Sequence, residues 1–432
     1  MSFLGPSSME KISDPFCLPD SPVVVGYEKV ADAEKRIKSG IVRTPCTRTR
    51  LSDKLGFDLY FKKEYTQFTG SFKDRGALYA LLNLTNEERA KGVVTTSAGN
   101  HAQSLSHQGA LLGVQVTVVM PRHAPLVKVN SCKDLKANII LHGERFDEAM
   151  LFAMNYGKQH KLLYINGYDH PDVIAGQGTT GIEIIEDVPD VDYVIVPVGG
   201  GGLAAGVCVA VKHHRPNVKI IAVESERCPS WTTAVNNGRP IPCEISRLGA
   251  KDSVADGLSV IEVGHNAFAT ANSLIDKVVR VSEDFITVAI LKLLESEKAV
   301  VEGAGAAGFA AILSGQLPEL NGKKVACILC GGNIDVNVLG RVIDRALMME
   351  GRLCRFNCVI SDNIGGLSQL LSTLAESGAS VKDIVHDRMS LPSYVYKTCV
   401  RLTVETRDAT HAVEMRRRLL EIYGKDLHWK TD

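Results

Sequence analysis

Residues 192–214 read DYVIVPVGGGGLAAGVCVAVKHH. The first seven are rich in β-branched side chains and lack strict apolar and polar alternation, which suits a strand covered on both faces. Four glycines, Gly199 to Gly202, follow as a tight turn, and the Ala- and Val-rich stretch behind them has helical length. It ends on His213 and His214, residues that suit the negative end of a helix dipole. A buried strand, a glycine turn and a helix in succession is the repeating unit of an α/β sheet. The same pattern recurs outward from it: VVTTS (93–97), VQVTVVM (114–120), ANIILH (137–142), VKIIAVE (218–224) and KKVACILC (323–330) predict further buried strands, with helical segments such as GNHAQSLSHQGALLG between them. Strands spread over so long a stretch predict two twisted, mostly parallel sheets rather than one.

The chain has 432 residues, room for two or three compact units at roughly 150 residues each. Hydrophobic residues at 45% and charged residues at 23% exclude fibrous and disordered classes. Lys+Arg and Asp+Glu are 49 each, so no basic field exists to hold nucleic acid or an anionic membrane. No apolar run approaches the ~20 residues that span a bilayer. The opening MSFLGPSSMEKISDPF has neither a basic nor an apolar signal region, so a cytoplasmic address is expected. Eleven cysteines scattered through apolar segments fit buried thiols in a reducing compartment. Cys327 and Cys330, three apart on a predicted strand, point to opposite faces and form no metal pair.

Near residue 350 the pattern changes. RFNCVISD, the helix GGLSQLLSTLAESG, then SVKDIVHDR, YKTCVRLTVETR and the helix HAVEMRRRLLEIYG give a βαββα order, so a boundary is expected around 345–353. Arg416, Arg417 and Arg418 read as the wet face of the last helix.

Three clusters fall where predicted strands end and helices begin, the crevice in which open α/β sheets bind ligands. They are Thr96-Ser97-Ala98-Gly99-Asn100-His101, Gly199-Gly200-Gly201-Gly202-Leu203 and Cys330-Gly331-Gly332-Asn333. The tetraglycine run can close backbone N–H groups on a phosphate, and equally can serve as a tight turn alone. Gly200-x-Gly202-x-x-Ala205 also satisfies the dinucleotide fingerprint, with Glu224 placed to reach a ribose, so an NAD-dependent oxidoreductase is an open alternative. That alternative leaves Lys73 and Cys330 without roles. In Thr69-Gly70-Ser71-Phe72-Lys73-Asp74-Arg75-Gly76-Ala77, Ser71 is expected to cap the following helix. Lys73 then stands in the first turn, where the dipole disfavours a cation; beside an aromatic, a lowered pKa and a Schiff-base amine are expected, an ordinary surface lysine being the alternative.

T-G-S-F-K-D-R-G-A, S-A-G-N-H-A-Q, V-G-G-G-G-L and C-G-G-N, in that order, resemble the fold-type II pyridoxal-phosphate enzymes, particularly threonine/serine dehydratases and their relative serine racemase. The likeness covers roughly residues 20–345. It implies the tryptophan synthase β kind of fold, with the cofactor between two sheets, in a catalytic region 1–345 whose smaller subdomain spans about 66–160. It also implies roles: Lys73 carries pyridoxal 5'-phosphate, Phe72 packs by the ring, Asn100 bonds the cofactor hydroxyl, and Gly199 to Leu203 hold the phosphate. Gly257, in Ala255-Asp256-Gly257, lies at the ring edge and Cys330 meets the pyridine nitrogen. Ser97, Gly99 and His101 shape the pocket for the substrate carboxylate. A thiol cannot keep a proton on that nitrogen as Asp would, which favours elimination over transamination.

The implied reaction is dehydration of L-threonine or L-serine to 2-oxobutanoate or pyruvate, plus ammonia. Serine racemase is the alternative. Racemases of this family read S-S-G-N-H, and Ala98 replaces their second serine; Phe68 stands where their nucleotide site has Lys. Their divalent-metal site maps to Glu224, the carbonyl of Cys228 and an acid that Ser230 replaces here, so a divalent or monovalent cation at Glu224 is an expectation by resemblance alone, a solvated strand-end carboxylate being the alternative. Residues 350–432 resemble an ACT regulatory domain through Asp362-Asn363-Ile364-Gly365-Gly366-Leu367, with Asn363 and Ile364 in place of Arg and Pro. The resemblance implies a small effector there and a homodimer or homotetramer. A metabolite sensor without turnover is a further alternative.

Overall fold

The computed structural model describes residues 14–244, 253–388 and 395–429. Two compact units divide the chain, Met1–Ile334 and Asp335–Asp432. The first holds two sheets.

The larger has six strands in the order Cys46–Arg48, Asp58–Lys63, Lys324–Leu329, Tyr193–Pro197, Lys219–Ser225 and Lys277–Val281. All neighbours are parallel except the first pair. The smaller, four-stranded sheet runs Asn138–Leu141, Val116–Met120, Val93–Thr96, Leu163–Tyr164 and is wholly parallel. Its strands enter the sequence between Asp58–Lys63 and Tyr193–Pro197, so the chain leaves the large sheet, builds the small one and returns. Val194, Ile195, Val196, Ile220 and Ile221 are buried, as runs covered on both faces should be.

Each strand anticipated in this unit is present, and four were not anticipated: Cys46–Arg48, Asp58–Lys63, Leu163–Tyr164 and Lys277–Val281. Asp58–Lys63 reads DLYFKK and its two lysines disguise a central strand. Lys62 is buried because its Nζ donates to Glu183 Oε2 and to the Thr44 carbonyl, each at 2.6 Å. A charge can occupy a central strand when it is fully partnered.

In the second unit, the helix Val336–Met349 is capped by Asp335, whose Oδ1 accepts from Asn337 N at 2.7 Å. Beyond it lies an antiparallel sheet in the order Ser380–Asp387, Lys397–Glu405, Leu353–Ser361, Leu427–Trp429. Helices Gly366–Glu376 and Ala409–Tyr423 supply Leu370, Leu374, Met415 and Leu419 to a core with Phe356, Ile360, Val400 and Leu402. The last strand corrects the βαββα reading to βαββαβ, the split βαβ arrangement. It has only three residues, and its place is set by a tertiary contact: Trp429 pairs with Phe356 and stacks on it at 4.8 Å. No helix among the described residues is long and apolar enough to cross a membrane.

Candidate active site

Strand Asp58–Lys63 leads through the turn Glu64–Thr66 to the helix Lys73–Leu82, so Lys73 opens that helix. Ser71 does not cap it: Phe72 is the N-cap, and the buried Ser71 hydroxyl has no hydrogen-bond partner. The loop is closed from inside the helix instead, since Asp74 accepts from Thr69 N at 3.0 Å and from Thr69 Oγ1 at 2.7 Å. Ser71 forms a bridge with Gly331, and Phe72 N donates to the Cys330 carbonyl at 3.0 Å. Lys73 Nζ donates to the Gly167 carbonyl at 2.5 Å and lies 4.9 Å from the centre of the Phe72 ring. Burial lowers its pKa to about 8, against the opposing pull of Cys330 and Glu302.

Under this loop, Arg75 is completely buried. Its guanidinium donates to Glu64 at 2.8 Å twice and to Glu183 at 2.7 and 2.8 Å. These fork contacts tie the start of the lysine helix to the turn before it and to the helix Pro171–Asp187.

Strand Val93–Thr96 ends in Ser97-Ala98-Gly99 and the helix Asn100–Leu112. Ser97 Oγ accepts from Gly99 N at 3.1 Å. Asn100 Nδ2 donates to Glu302 Oε1 at 2.6 Å. His101 is buried with neither ring nitrogen hydrogen-bonded, and burial, with Lys73 nearby, lowers its pKa to about 3. Its ring backs onto Gly167, where a Cβ would stand 2.7 Å from it.

Strand Tyr193–Pro197 delivers the tetraglycine run to the helix Gly202–His214. Gly201 has φ +93, and the helix has no side-chain cap. A Cβ at Gly200 would stand 2.3 Å from the Tyr168 ring, and one at Gly199 would stand 2.6 Å from the Gly257 carbonyl. Leu203 is buried behind the turn. Gly257 sits in the turn Asp256–Leu258, where Asp256 takes Lys128 Nζ at 2.6 Å. Strand Lys324–Leu329 ends at Cys330, whose thiol is pushed well above its ordinary range by burial and by Glu302. It stays protonated.

Phe72 is thus joined directly to Cys330, Asn100 meets Glu302, whose N–H bonds the Gly331 carbonyl next to Cys330, and Gly199 packs against Gly257. Sequence reading missed Glu302, Gly167 and Tyr168, and gave Asn333 no role. Glu302 is a buried acid whose pKa burial and Asp256 raise to about 7. Its one sequence signal is an acid between the apolar AVV and the helix GAGAAGFAAIL.

Residues 37–331 match the family described as pyridoxal-phosphate dependent enzyme, well over half of the chain. The chain belongs to that family. An L-threonine ammonia-lyase of Thermotoga maritima is 40% identical to this pyridoxal-phosphate enzyme over 398 residues, 92% of this chain and 98% of the relative. The catabolic L-threonine dehydratase TdcB of Escherichia coli K12 is 39% identical over 325 residues, 75% of this chain and 97% of its own. Among solved structures, processed threonine deaminase isoform 2 of Solanum lycopersicum has a TM-score of 0.69 at 34% identity, covering 78% of this chain and 99% of that one. Serine racemase of Dictyostelium discoideum has 0.67 at 35%, covering 72% and 99%. These matches establish the fold-type II α/β architecture.

In this pyridoxal-phosphate enzyme the Glu224 carboxylate is engaged as a helix cap. It accepts from Trp231 N at 2.9 Å, from Thr232 N at 3.2 Å and from the Thr232 hydroxyl, at the start of the helix Ser230–Asn237. The Cys228 carbonyl likewise accepts from Ser230 N at 2.9 Å. Neither a ribose nor a cation is needed to explain Glu224. Among the described residues no group of three or more His, Cys, Asp or Glu is gathered to hold a metal ion. Phe68 is exposed and stacks on His107 at 3.9 Å.

Proposed function

We propose that the protein is an L-threonine/L-serine ammonia-lyase that eliminates water and releases ammonia, giving 2-oxobutanoate or pyruvate. The observation that carries the reading is Lys73, a half-buried amine whose desolvation lowers its pKa to about 8, beside an aromatic ring and a protonated thiol. Its relatives named for this activity match most of the chain.

The residues fit pyridoxal phosphate. Lys73 would hold it covalently, with Phe72 beside the ring, Asn100 on its hydroxyl, Gly257 at its edge and Cys330 at its nitrogen. The backbone of Gly199, Gly200, Gly201, Gly202 and Leu203 would take the phosphate; the four glycines pack too closely on Gly257, Tyr168 and Trp231 to admit a Cβ, which leaves the turn as bare backbone, and a helix N-terminus without a side-chain cap suits a dianion. Bound there, the cofactor supplies an electron-withdrawing ring that acidifies the substrate α-carbon.

The chain's own residues govern the rest. Lys73 Nζ, once neutral, accepts the α-proton as general base. The protonated Cys330 thiol offers no anion to the ring nitrogen, which favours prompt loss of the β-hydroxyl. Ser97, Gly99 and His101 would frame the substrate carboxylate, and His101, neutral at physiological pH, does so without charge.

Serine racemisation is the second reading, favoured by the likeness to solved racemases. Against it stands Ala98, which has no proton to exchange on the face opposite Lys73.

We also read the tail as an ACT-like regulatory module for a small effector, in a homodimer or homotetramer, with the catalytic region ending by about residue 345. Its support is the βαββαβ order and the turn Asp362–Gly365 that leads from the first strand into the helix Gly366–Glu376. A cytoplasmic setting fits eleven free thiols.

The test is a lactate-dehydrogenase-coupled assay on L-threonine and L-serine with and without added pyridoxal phosphate. Cofactor-dependent oxo-acid formation is expected. Cofactor bound at Lys73 with no oxo acid from either substrate would sink the proposal.

A further inference from the structure

Asn100 belongs to a chain of hydrogen bonds whose direction is fixed at the Thr69 carbonyl. Asn333 Nδ2 donates to the Thr69 carbonyl at 2.8 Å and to Asn100 Oδ1 at 2.7 Å. Asn100 Nδ2 in turn donates to Glu302 Oε1 at 2.6 Å. A side-chain amide has two orientations of nearly equal shape, and only its partners decide between them. The Thr69 carbonyl can only accept, so Asn333 turns its NH2 toward it. That NH2 also meets Asn100, which must answer with its oxygen. The Asn100 NH2 then faces Glu302, whose carboxylate accepts. A flipped Asn100 would set NH2 against NH2 at the Asn333 end and would admit Glu302 only as a protonated carboxyl.

The backbone makes room for this chain at two glycines of the lysine and cysteine motifs. Gly70 has φ +78, and a Cβ there would stand 2.8 Å from Asn333 Oδ1. A Cβ at Gly331 would stand 2.2 Å from Glu302 Oε1. Glu302 is further fixed through its backbone, its N–H donating to the Gly331 carbonyl at 3.0 Å. Glu302 and Asn333 are therefore held to Asn100 from two different loops.

We propose that Asn333 and Glu302 are positioning residues that lock the Asn100 amide in one orientation, so that Asn100 presents an N–H and not its carbonyl to the ring oxygen of bound pyridoxal phosphate. The inference rests on the assignment of Asn100 and Lys73 made above. A donor stabilises an oxygen that carries negative charge, whereas a carbonyl in its place repels it.

The experiment titrates apo-protein with pyridoxal phosphate by equilibrium dialysis and records the visible absorption of each loaded variant. Wild type must first bind the cofactor at Lys73 and form oxo acid. If it does not, the functional reading fails, and this inference with it. Given binding, Asn333→Asp, similar in shape but with oxygen where NH2 was, should weaken affinity about tenfold and shift the absorption maximum, on the scale of lost buried hydrogen bonds. Glu302→Ala should do the same, while Glu302→Gln, which keeps a carbonyl acceptor, should recover most of the loss. In an Asn100→Ala background, Asn333→Asp should have no further effect. An equal loss in that background would mean general disruption and would overturn the proposal. So would wild-type affinity and absorption in Asn333→Asp and Glu302→Ala. Should Asn333→Asp fail to fold, the Glu302→Gln and Glu302→Ala pair carries the same test, and equal behaviour of those two variants would overturn the proposal.

Discussion

Phe72 donates its backbone N–H to the carbonyl oxygen of Cys330 at 3.0 Å, joining two loops far apart in sequence. Ser71 and Gly331 form a bridge beside this bond, so two consecutive residues of one loop are registered against two of the other. Lys73 follows immediately. Its position relative to the end of the strand Lys324–Leu329 is thus set by main-chain hydrogen bonds, which substitutions of single side chains leave in place.

The Lys73 amine should be the point of covalent attachment. Borohydride reduction of the loaded protein should fix the cofactor on the peptide containing Lys73, and Lys73→Ala should be colourless and inactive. Burial lowers the Lys73 pKa to about 8, so the reactive neutral form grows as pH rises through that value and is roughly a tenth of the total at pH 7. The initial rate of cofactor incorporation into apo-protein should therefore rise with a midpoint near 8. A midpoint in the ordinary lysine range, near ~10.4, would contradict the burial argument.

Elimination should far exceed racemisation. Ala98 stands between Ser97 and Gly99 at the head of the helix Asn100–Leu112, and its methyl cannot exchange a proton. Chiral chromatography of L-serine reactions should show pyruvate with little D-serine, and Ala98→Ser should raise the D-serine fraction. Comparable yields of pyruvate and D-serine from the unaltered protein would reject the argument.

Much of this was legible in the sequence because strand ends and glycine turns announce themselves locally. The Val- and Ile-rich runs marked the strands that deliver Asn100, the tetraglycine loop and Cys330. What stayed hidden depends on partners distant in the chain. Lys62 lies in a central strand only because Glu183 meets it, and DLYFKK gives no hint of that. Glu302 is a lone acid in an apolar stretch, and its meaning comes from Asn100. Ser71 looked like a helix cap because serine often is one, yet Asp74 closes the loop and Ser71 faces Gly331. Trp429 ends a strand too short to carry a pattern, placed by the ring of Phe356.

Arg75 should be indispensable to stability as well as to the lysine loop. Removing it leaves Glu64 and Glu183 buried with Lys62 as the nearby cation. Breaking a buried ion network by deleting one partner costs about 3–5 kcal/mol, so Arg75→Met should lower the free energy of urea unfolding by that order. Arg75→Lys should be costly too, because an ammonium cannot make the paired contacts of the guanidinium. Unfolding midpoints matching the wild type would show that the network is not holding the helix.

The tail should be separable from the chemistry. Every candidate catalytic or cofactor residue lies in Met1–Ile334, and the unit Asp335–Asp432 has a hydrophobic core of its own around Phe356, Leu370 and Leu402. The catabolic threonine dehydratase of Escherichia coli aligns along 97% of its length with only 75% of this chain, so that relative has no counterpart to about a quarter of it. A chain ended near residue 348 severs the second unit just before its first strand, Leu353–Ser361. It should keep its cofactor and its turnover while changing its oligomeric size or its response to small amino-acid effectors, measured by light scattering and by assays across effector concentrations. If the shortened chain folds and binds cofactor but has no turnover at any substrate concentration, the tail takes part in catalysis. Unchanged size together with unchanged effector response would instead deny it both an assembly and a regulatory role.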